Sequence, residues 1–181
     1  LSPKEIDKID LFLVNGAECE PYLTSDYRDM LELPEKLIGG LQVVLSLFPN
    51  AVGKICIEDN KPEAIKLLTE KVKGMDKIEV VPLRTRYPQG GERQLIYAAS
   101  GRKINSSMLP ADAGVVVDNV DTVVAIYEAV CESKPLVRKI LTVTGDAVAS
   151  PGNFRVPLGT NYQQVISAAG GFSEEPEKVI S

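Results

Sequence analysis

The chain contains no histidine among its 181 residues. That excludes Ser-His-Asp and Cys-His catalysis and every histidine-ligated metal site. Its three cysteines, Cys19, Cys56 and Cys131, form no C-x-x-C pair. A cysteine-rich zinc or iron–sulfur cluster held wholly by these residues is excluded too. Scattered thiols in an acidic chain predict a reducing, cytosolic setting, with Cys56 and Cys131 buried as small apolar side chains. A basic surplus is also lacking. The net charge of −5 and pI near 4.9 argue against nucleic acid or an anionic membrane surface as partner. The longest apolar run, Leu37 to Phe48, is broken by Gly39, Gly40, Gln42 and Ser46. It falls short of the roughly 20 residues a membrane span needs. The opening Leu1-Ser2-Pro3-Lys4-Glu5 is polar and carries no secretory signal, and the missing initiator Met predicts a section of a longer chain.

What is present reads as an α/β domain. Hydrophobic residues make up 44% and charged residues 25%, enough for one substantial core. Leu11-Phe12-Leu13-Val14 is a buried strand that should end at the Asn15-Gly16 turn, leaving Glu18 and Glu20 on the following loop. Thr24-Ser25-Asp26 offers an N-cap for a short helix. Pro34 starts a longer one, with Leu37, Ile38, Leu41, Val44, Leu45 and Phe48 on one face. Its Gly39-Gly40 pair fits either close packing on the sheet or backbone approach to a ligand. Lys54–Glu58 is a second strand. Asn60-Lys61-Pro62-Glu63 resembles a capping box, and Ala64, Ile65, Leu68 and Val72 form the stripe of the helix after it. Ile78–Leu83 is a third strand. This alternation implies a parallel sheet, in which ligands bind outside the strands' carboxyl ends.

No Gly-x-Gly-x-x-Gly follows any strand, and no Gly-x-x-x-x-Gly-Lys occurs. Any nucleotide must therefore be held without a Rossmann fingerprint or a P-loop. The stretch Tyr87-Pro88-Gln89-Gly90-Gly91-Glu92 leads instead into a helix to Ser100, capped by Gly101. A carboxylate such as Glu92 is favoured in a first turn whether or not it binds anything. Gly114–Val117 is a fourth strand, followed by a helix to Glu132 packed through Val120, Val123, Val124, Tyr127 and Val130. Asp118 or Asn119 serves as its N-cap, or the helix start with Asn119 and Thr122 holds a phosphate. After Pro135 the pattern changes. A strand over Leu136–Gly145, a second built from Ala147–Ser150 and Phe154–Val156, and a Thr160–Gln163 capping box before a helix to Ala169 suggest a small β-grasp module. The expected division is 1–134 as α/β core, 135–173 as β-grasp module and 174–181 as acidic tail.

Three stretches together resemble one family. Asn-Gly-Ala-Glu-Cys-Glu-Pro-Tyr at 15–22, Tyr-Pro-Gln-Gly-Gly-Glu at 87–92 with Gln94-Leu95-Ile96, and Leu-Pro-Ala-Asp at 109–112 leading into Val-x-Asn-Val at 117–120 are similar to RnfC, the C subunit of the Rnf electron transport complex. Thr-Val-Thr-Gly-Asp-Ala-Val with Pro-Gly-Asn, at 142–153, resembles the SLBB β-grasp domain that follows in that subunit. The resemblance extends to the flavin-bearing, NADH-oxidising subunit of respiratory NADH dehydrogenase. It implies a parallel-sheet fold that binds FMN and NADH without a Rossmann fingerprint. Carried over by motif, Asn15 and Glu18 match flavin positions and Glu20 one near the nicotinamide nucleotide. Tyr87 and Glu92, with Gly90 and Gly91 between them, match the same cavity, and Asn119 and Thr122 a flavin-side loop. Ala17 departs from the Asp of the dehydrogenase.

The resemblance also implies a glycine-rich flavin loop before residue 1 and cysteine clusters for two [4Fe–4S] centres beyond residue 181. The parent would be peripheral on the inner face of the cell membrane, among other Rnf-type subunits. Its chemistry would be hydride transfer between NADH and FMN, then single electrons to the iron–sulfur centres, with this section alone inactive. Glu18, Glu20 and Glu92 suit sugar hydroxyls, so the phosphates are expected near Asn119 or at the glycine loop. No residue of the chain reads as a catalytic acid, base or metal ligand. Rival readings are a docking module, an SLBB piece binding a soluble ligand such as a cobalamin, and a RnfC-like donor to a soluble reductase.

Overall fold

The computed structural model describes residues 6–180; the polar opening Leu1–Glu5 and the final Ser181 of the acidic tail lie outside the described residues. The chain divides into two units, Leu1–Glu20 with Asp26–Pro135, and Pro21–Ser25 with Leu136–Ser181. Its elements run β1 (Leu11–Gly16), α1 (Ser25–Glu32), α2 (Pro34–Leu47), β2 (Val52–Glu58), α3 (Pro62–Lys71), β3 (Ile78–Leu83), α4 (Glu92–Ser100), β4 (Val115–Asn119), α5 (Val120–Cys131), β5 (Arg138–Val143), β6 (Gly152–Pro157) and α6 (Tyr162–Ala168). Short 3-10 turns precede β1 and β4.

The first unit is the parallel sheet that the strand–helix alternation implies, in the order β3-β2-β1-β4. Side chains alternate across a strand, so β1 feeds two layers. Phe12 and Val14 pack with α2, α3 and α5 through Leu37, Leu41, Leu68, Val120 and Val123. Leu11 and Leu13 pack with α4 through Leu95, Ile96 and Ala99. Each such fully buried Leu, Val or Phe contributes about 1.5–3 kcal/mol. Having helices on both faces explains why β1 reads as a continuous apolar run rather than an alternating one.

Several local expectations are corrected. β1 continues through Asn15 and Gly16, which pair with Cys56, Ile57 and Asn119 on the flanking strands. A Cβ at Gly16 would stand 2.9 Å from the Cys56 carbonyl oxygen and 3.0 Å from Met30 Sδ. The glycine there serves close packing, not a turn. Gly39 and Gly40 serve packing as well, but against α5 rather than the sheet: their Cβ positions meet the Tyr127 ring and the Val123 backbone. The helix after Asn60 has no side-chain cap; Lys61 is its N-cap residue and Pro62 its first turn. Val130 and Cys131, expected to be buried, are exposed. Of the two N-cap candidates expected for α5, Asn119 is the one that caps it, as the expectation allowed.

In the second unit β5 and β6 pair antiparallel, Arg138 opposite Pro157 through Val143 opposite Gly152. Ala147–Ser150 is not part of the strand expected there; Val148 makes one isolated bridge to Phe172. The capping box of α6 is Asn161 with Gln164, one residue later than expected. Val165 and Ala169 are its buried contacts. Thr24 belongs here because its amide donates to Thr142 Oγ1 (3.1 Å) and its hydroxyl accepts from Asn153 Nδ2 (2.9 Å).

Candidate functional site

The carboxyl ends of the four strands carry the polar residues that the motifs single out. Because β2 lies between β3 and β1, the loop after β3 must pass the end of β2 to reach β1. Two sets of hydrogen bonds guide it. Asp59 accepts from the Thr85 amide (3.0 Å) and hydroxyl (2.6 Å), which holds its carboxyl below the usual range. Glu58 Oε1 then accepts from the Arg86 amide at 3.2 Å. Past the buried Gln89, the loop lands on the end of β1. Asn15 Nδ2 donates to the Gly90 carbonyl at 2.9 Å, and the Gly90 amide donates to Cys19 Sγ at 3.3 Å. A Cβ at Gly90 would collide with the Ala17 carbonyl oxygen, so glycine is what lets the two backbones meet.

The motif residues divide by what their polar atoms do. Asn15 is occupied on both sides, since its Oδ1 also accepts from the Ala17 amide at 3.2 Å. The Glu18 carboxylate accepts from the amides of Asp26 (2.9 Å) and Tyr27 (3.4 Å), at the first turn of α1, and its side chain is only 4% exposed. An anion there is favoured by the unpaired amides and dipole of the helix start. Asn119 accepts from the Asp121 amide at 2.9 Å and donates to Asp26 Oδ2 at 2.7 Å. Asn15, Glu18, Gly90 and Asn119 are thus brought into one bonded edge. Glu20, Tyr87 and Glu92 stand exposed, and Gly91 and Thr122 are half-buried. Half-buried Asp118 lies opposite Val14, and burial raises its carboxyl above the usual range. The buried Cys56 thiol is pushed up to about 12 by the same desolvation, which leaves it unreactive.

The motifs miss two residues of this edge. Glu58 is 1% exposed and Lys61 8%. Lys61 Nζ lies 3.8 Å from Glu18 Oε2 and 3.9 Å from Glu58 Oε2, and it donates to the Glu18 carbonyl at 3.4 Å. The only local sign of this is that Glu58 continues the buried run Ile55-Cys56-Ile57.

FMN, the group implied by the motif resemblance, offers ring heteroatoms, ribityl hydroxyls and a phosphate. The exposed carboxylates Glu20 and Glu92 and the half-buried Thr122 hydroxyl suit hydroxyl groups. The phosphate is poorly served. Lys61 is enclosed by two carboxylates, and the start of α5 carries Asp118, Asp121 and the Asp26 carboxylate beside Asn119. These acceptors suit the sugar hydroxyls of a flavin or nicotinamide nucleotide.

Residues 1–128 match the model of the Nuo51 FMN-binding domain, and residues 140–180 that of the SLBB domain. The C subunit of a proton-translocating ferredoxin:NAD(+) oxidoreductase complex from Clostridium ljungdahlii is 45% identical over all 181 residues. Its counterpart in a Na(+)-translocating ferredoxin:NAD(+) oxidoreductase complex from Acetobacterium woodii is 46% identical over 174 residues, 96% of this chain. The chain spans 39% of the length of each of these relatives. An NAD+-reducing [NiFe]-hydrogenase structure in the air-oxidised state shares the fold, with a TM-score of 0.77 at 23% identity over 90% of this chain and 33% of that one. The chain belongs to the family of the Nuo51 FMN-binding domain, followed by an SLBB domain, and resembles a section of the RnfC subunits.

Proposed function

We propose that this chain supplies one wall of an FMN and NADH site in an electron-transfer subunit of an ion-coupled oxidoreductase complex. The observation that carries the reading is the bonded carboxyl edge, where Asn15, Cys19 and Gly90 tie the β1 and β3 loops together within a Nuo51-type fold. Ligands of open parallel sheets bind at this edge. A bound flavin would supply the chemistry of taking up a hydride and giving up electrons one at a time. The chain's own residues position and exclude. Glu92 and Glu20 accept from ribose hydroxyls, and Tyr87 presents an aromatic face to a planar ring. Asn15, Glu18 and Asn119 hold the loops and can also meet the ligand, since each amide has a second N–H and each oxygen a further lone pair.

On this reading the phosphate-binding residues and two [4Fe–4S] clusters belong to parts of the parent outside these residues. Other Rnf-type subunits are its partners, and the parent sits on the inner face of the membrane. Among the described residues no helix is long and apolar enough to cross a membrane. The exposed Val137, Leu158 and Tyr162 of the SLBB unit favour a docking role for that unit beside the redox role of the first.

Glu92→Gln in the full-length parent tests the assignment. NADH oxidation should weaken about tenfold, the usual scale of one charge-assisted hydrogen bond, while FMN stays bound. Equal loss of FMN and NADH overturns the role given to Glu92.

A further inference from the structure

Lys61 does something that the flavin chemistry alone does not call for. It is the N-cap residue of α3, yet its side chain, 9% exposed, makes no capping bond. Its ammonium lies between two carboxylates more buried than itself, Glu18 at 4% and Glu58 at 1% side-chain exposure. The two separations, 3.8 and 3.9 Å, are nearly equal, so the cation is shared rather than committed to either acid. The Tyr27 ring closes another side, its centroid 6.0 Å from Nζ. Two buried carboxylates thus have the same ammonium within 4 Å as their cation.

The two acids serve different loops. Glu18 holds the start of α1 through the Asp26 and Tyr27 amides. Glu58 holds the loop after β3 through the Arg86 amide. Lys61 also bonds the Glu18 carbonyl directly, so it grips both the side chain and the backbone of the segment that leads to Glu20. We infer that Lys61 is a positioning residue, which fixes the segment carrying Glu20 against the loop carrying Tyr87 and Glu92 by bridging Glu18 and Glu58. Its consequence for NADH rests on the nucleotide-site reading above; its hold on Glu18 does not.

The test compares the full-length protein with Lys61→Arg and with the double variant Lys61→Met/Glu58→Gln. The double variant removes one charge of each sign, so the cluster's net charge is unchanged. The amide oxygen introduced by Glu58→Gln still accepts from the Arg86 amide. Hydrogen exchange at the Asp26 and Tyr27 amides reads the hold on Glu18 without any flavin. In the double variant those amides should exchange about tenfold faster and the KM for NADH should rise about tenfold, with FMN affinity held within about twofold. Lys61→Arg should keep both close to the unmutated protein. Unchanged exchange in the double variant overturns the inference, and so does faster exchange with an unchanged KM. A lack of FMN binding by the unmutated protein overturns the nucleotide reading instead, and the exchange result then decides the hold on Glu18 by itself.

Discussion

Replacing Gly90 by alanine probes how the loops after β1 and β3 are held together. The new Cβ meets the Ala17 carbonyl oxygen, a backbone atom that cannot swing aside as a flexible side chain would, and also lies 3.4 Å from Cys19 Sγ. One loop must therefore shift. The shift acts on the Asn15 to Gly90 bond at 2.9 Å and the Gly90 to Cys19 bond at 3.3 Å. Overpacking of this kind costs about 1–3 kcal/mol, and a weakened neutral hydrogen bond about 0.5–1.5 kcal/mol. The expected loss is about 2–4 kcal/mol, read as the urea denaturation midpoint multiplied by the slope. Gly91→Ala is the control. Its Cβ would meet only the Pro88 oxygen at 3.2 Å and Pro88 Cβ at 3.9 Å, its φ of −62° is open to any residue, and its cost should stay within about 1 kcal/mol. A Gly90→Ala variant within about 0.5 kcal/mol of the unmutated chain refutes the reasoning, as does an equal loss at Gly91.

Asp118→Asn should stabilise the chain at neutral pH, because burial raises the folded-state pKa of Asp118 and makes its ionised form the costly one. The gain is present above that folded pKa and fades as pH falls through it towards the ordinary carboxylate value; a gain that persists unchanged in acid contradicts this. Thiol titration of the native chain should find Cys131 reactive at the exposed end of α5, whereas Cys56, pushed up to about 12, reacts only on unfolding. Loss of the fast-reacting thiol in Cys131→Ser checks that assignment; a second fast thiol that disappears in Cys56→Ser sinks it.

Much of the sheet was legible because local chemistry and packing agree. Ile78–Leu83 and Glu92–Ser100, with Gly101 in a left-handed cap, stand where pattern and punctuation place them. Asn15-Gly16 misleads for a physical reason. Asn-Gly favours a turn in isolation, but here both residues sit in a central strand with partners on either side, and that pairing is non-local. The same limit applies to the site. Asn15, Glu18 and Asn119 are readable as motif positions, yet their use as loop ties depends on Gly90, Asp26 and Tyr27. Lys61 carried no signal, since its meaning depends on Glu18, 43 positions away, and its neighbours Asn60 and Glu63 resemble a capping box that does not form.

The central claim is that the carboxyl edge of this sheet is one wall of a flavin site completed by other parts of the parent. It is tested most directly by FMN fluorescence titration of this chain and of the full-length protein, followed by addition of NADH under anaerobic conditions. The account predicts flavin quenching and NADH bleaching in the full-length protein and weak or no quenching by this chain alone. A full-length protein that shows neither quenching nor bleaching would contradict it.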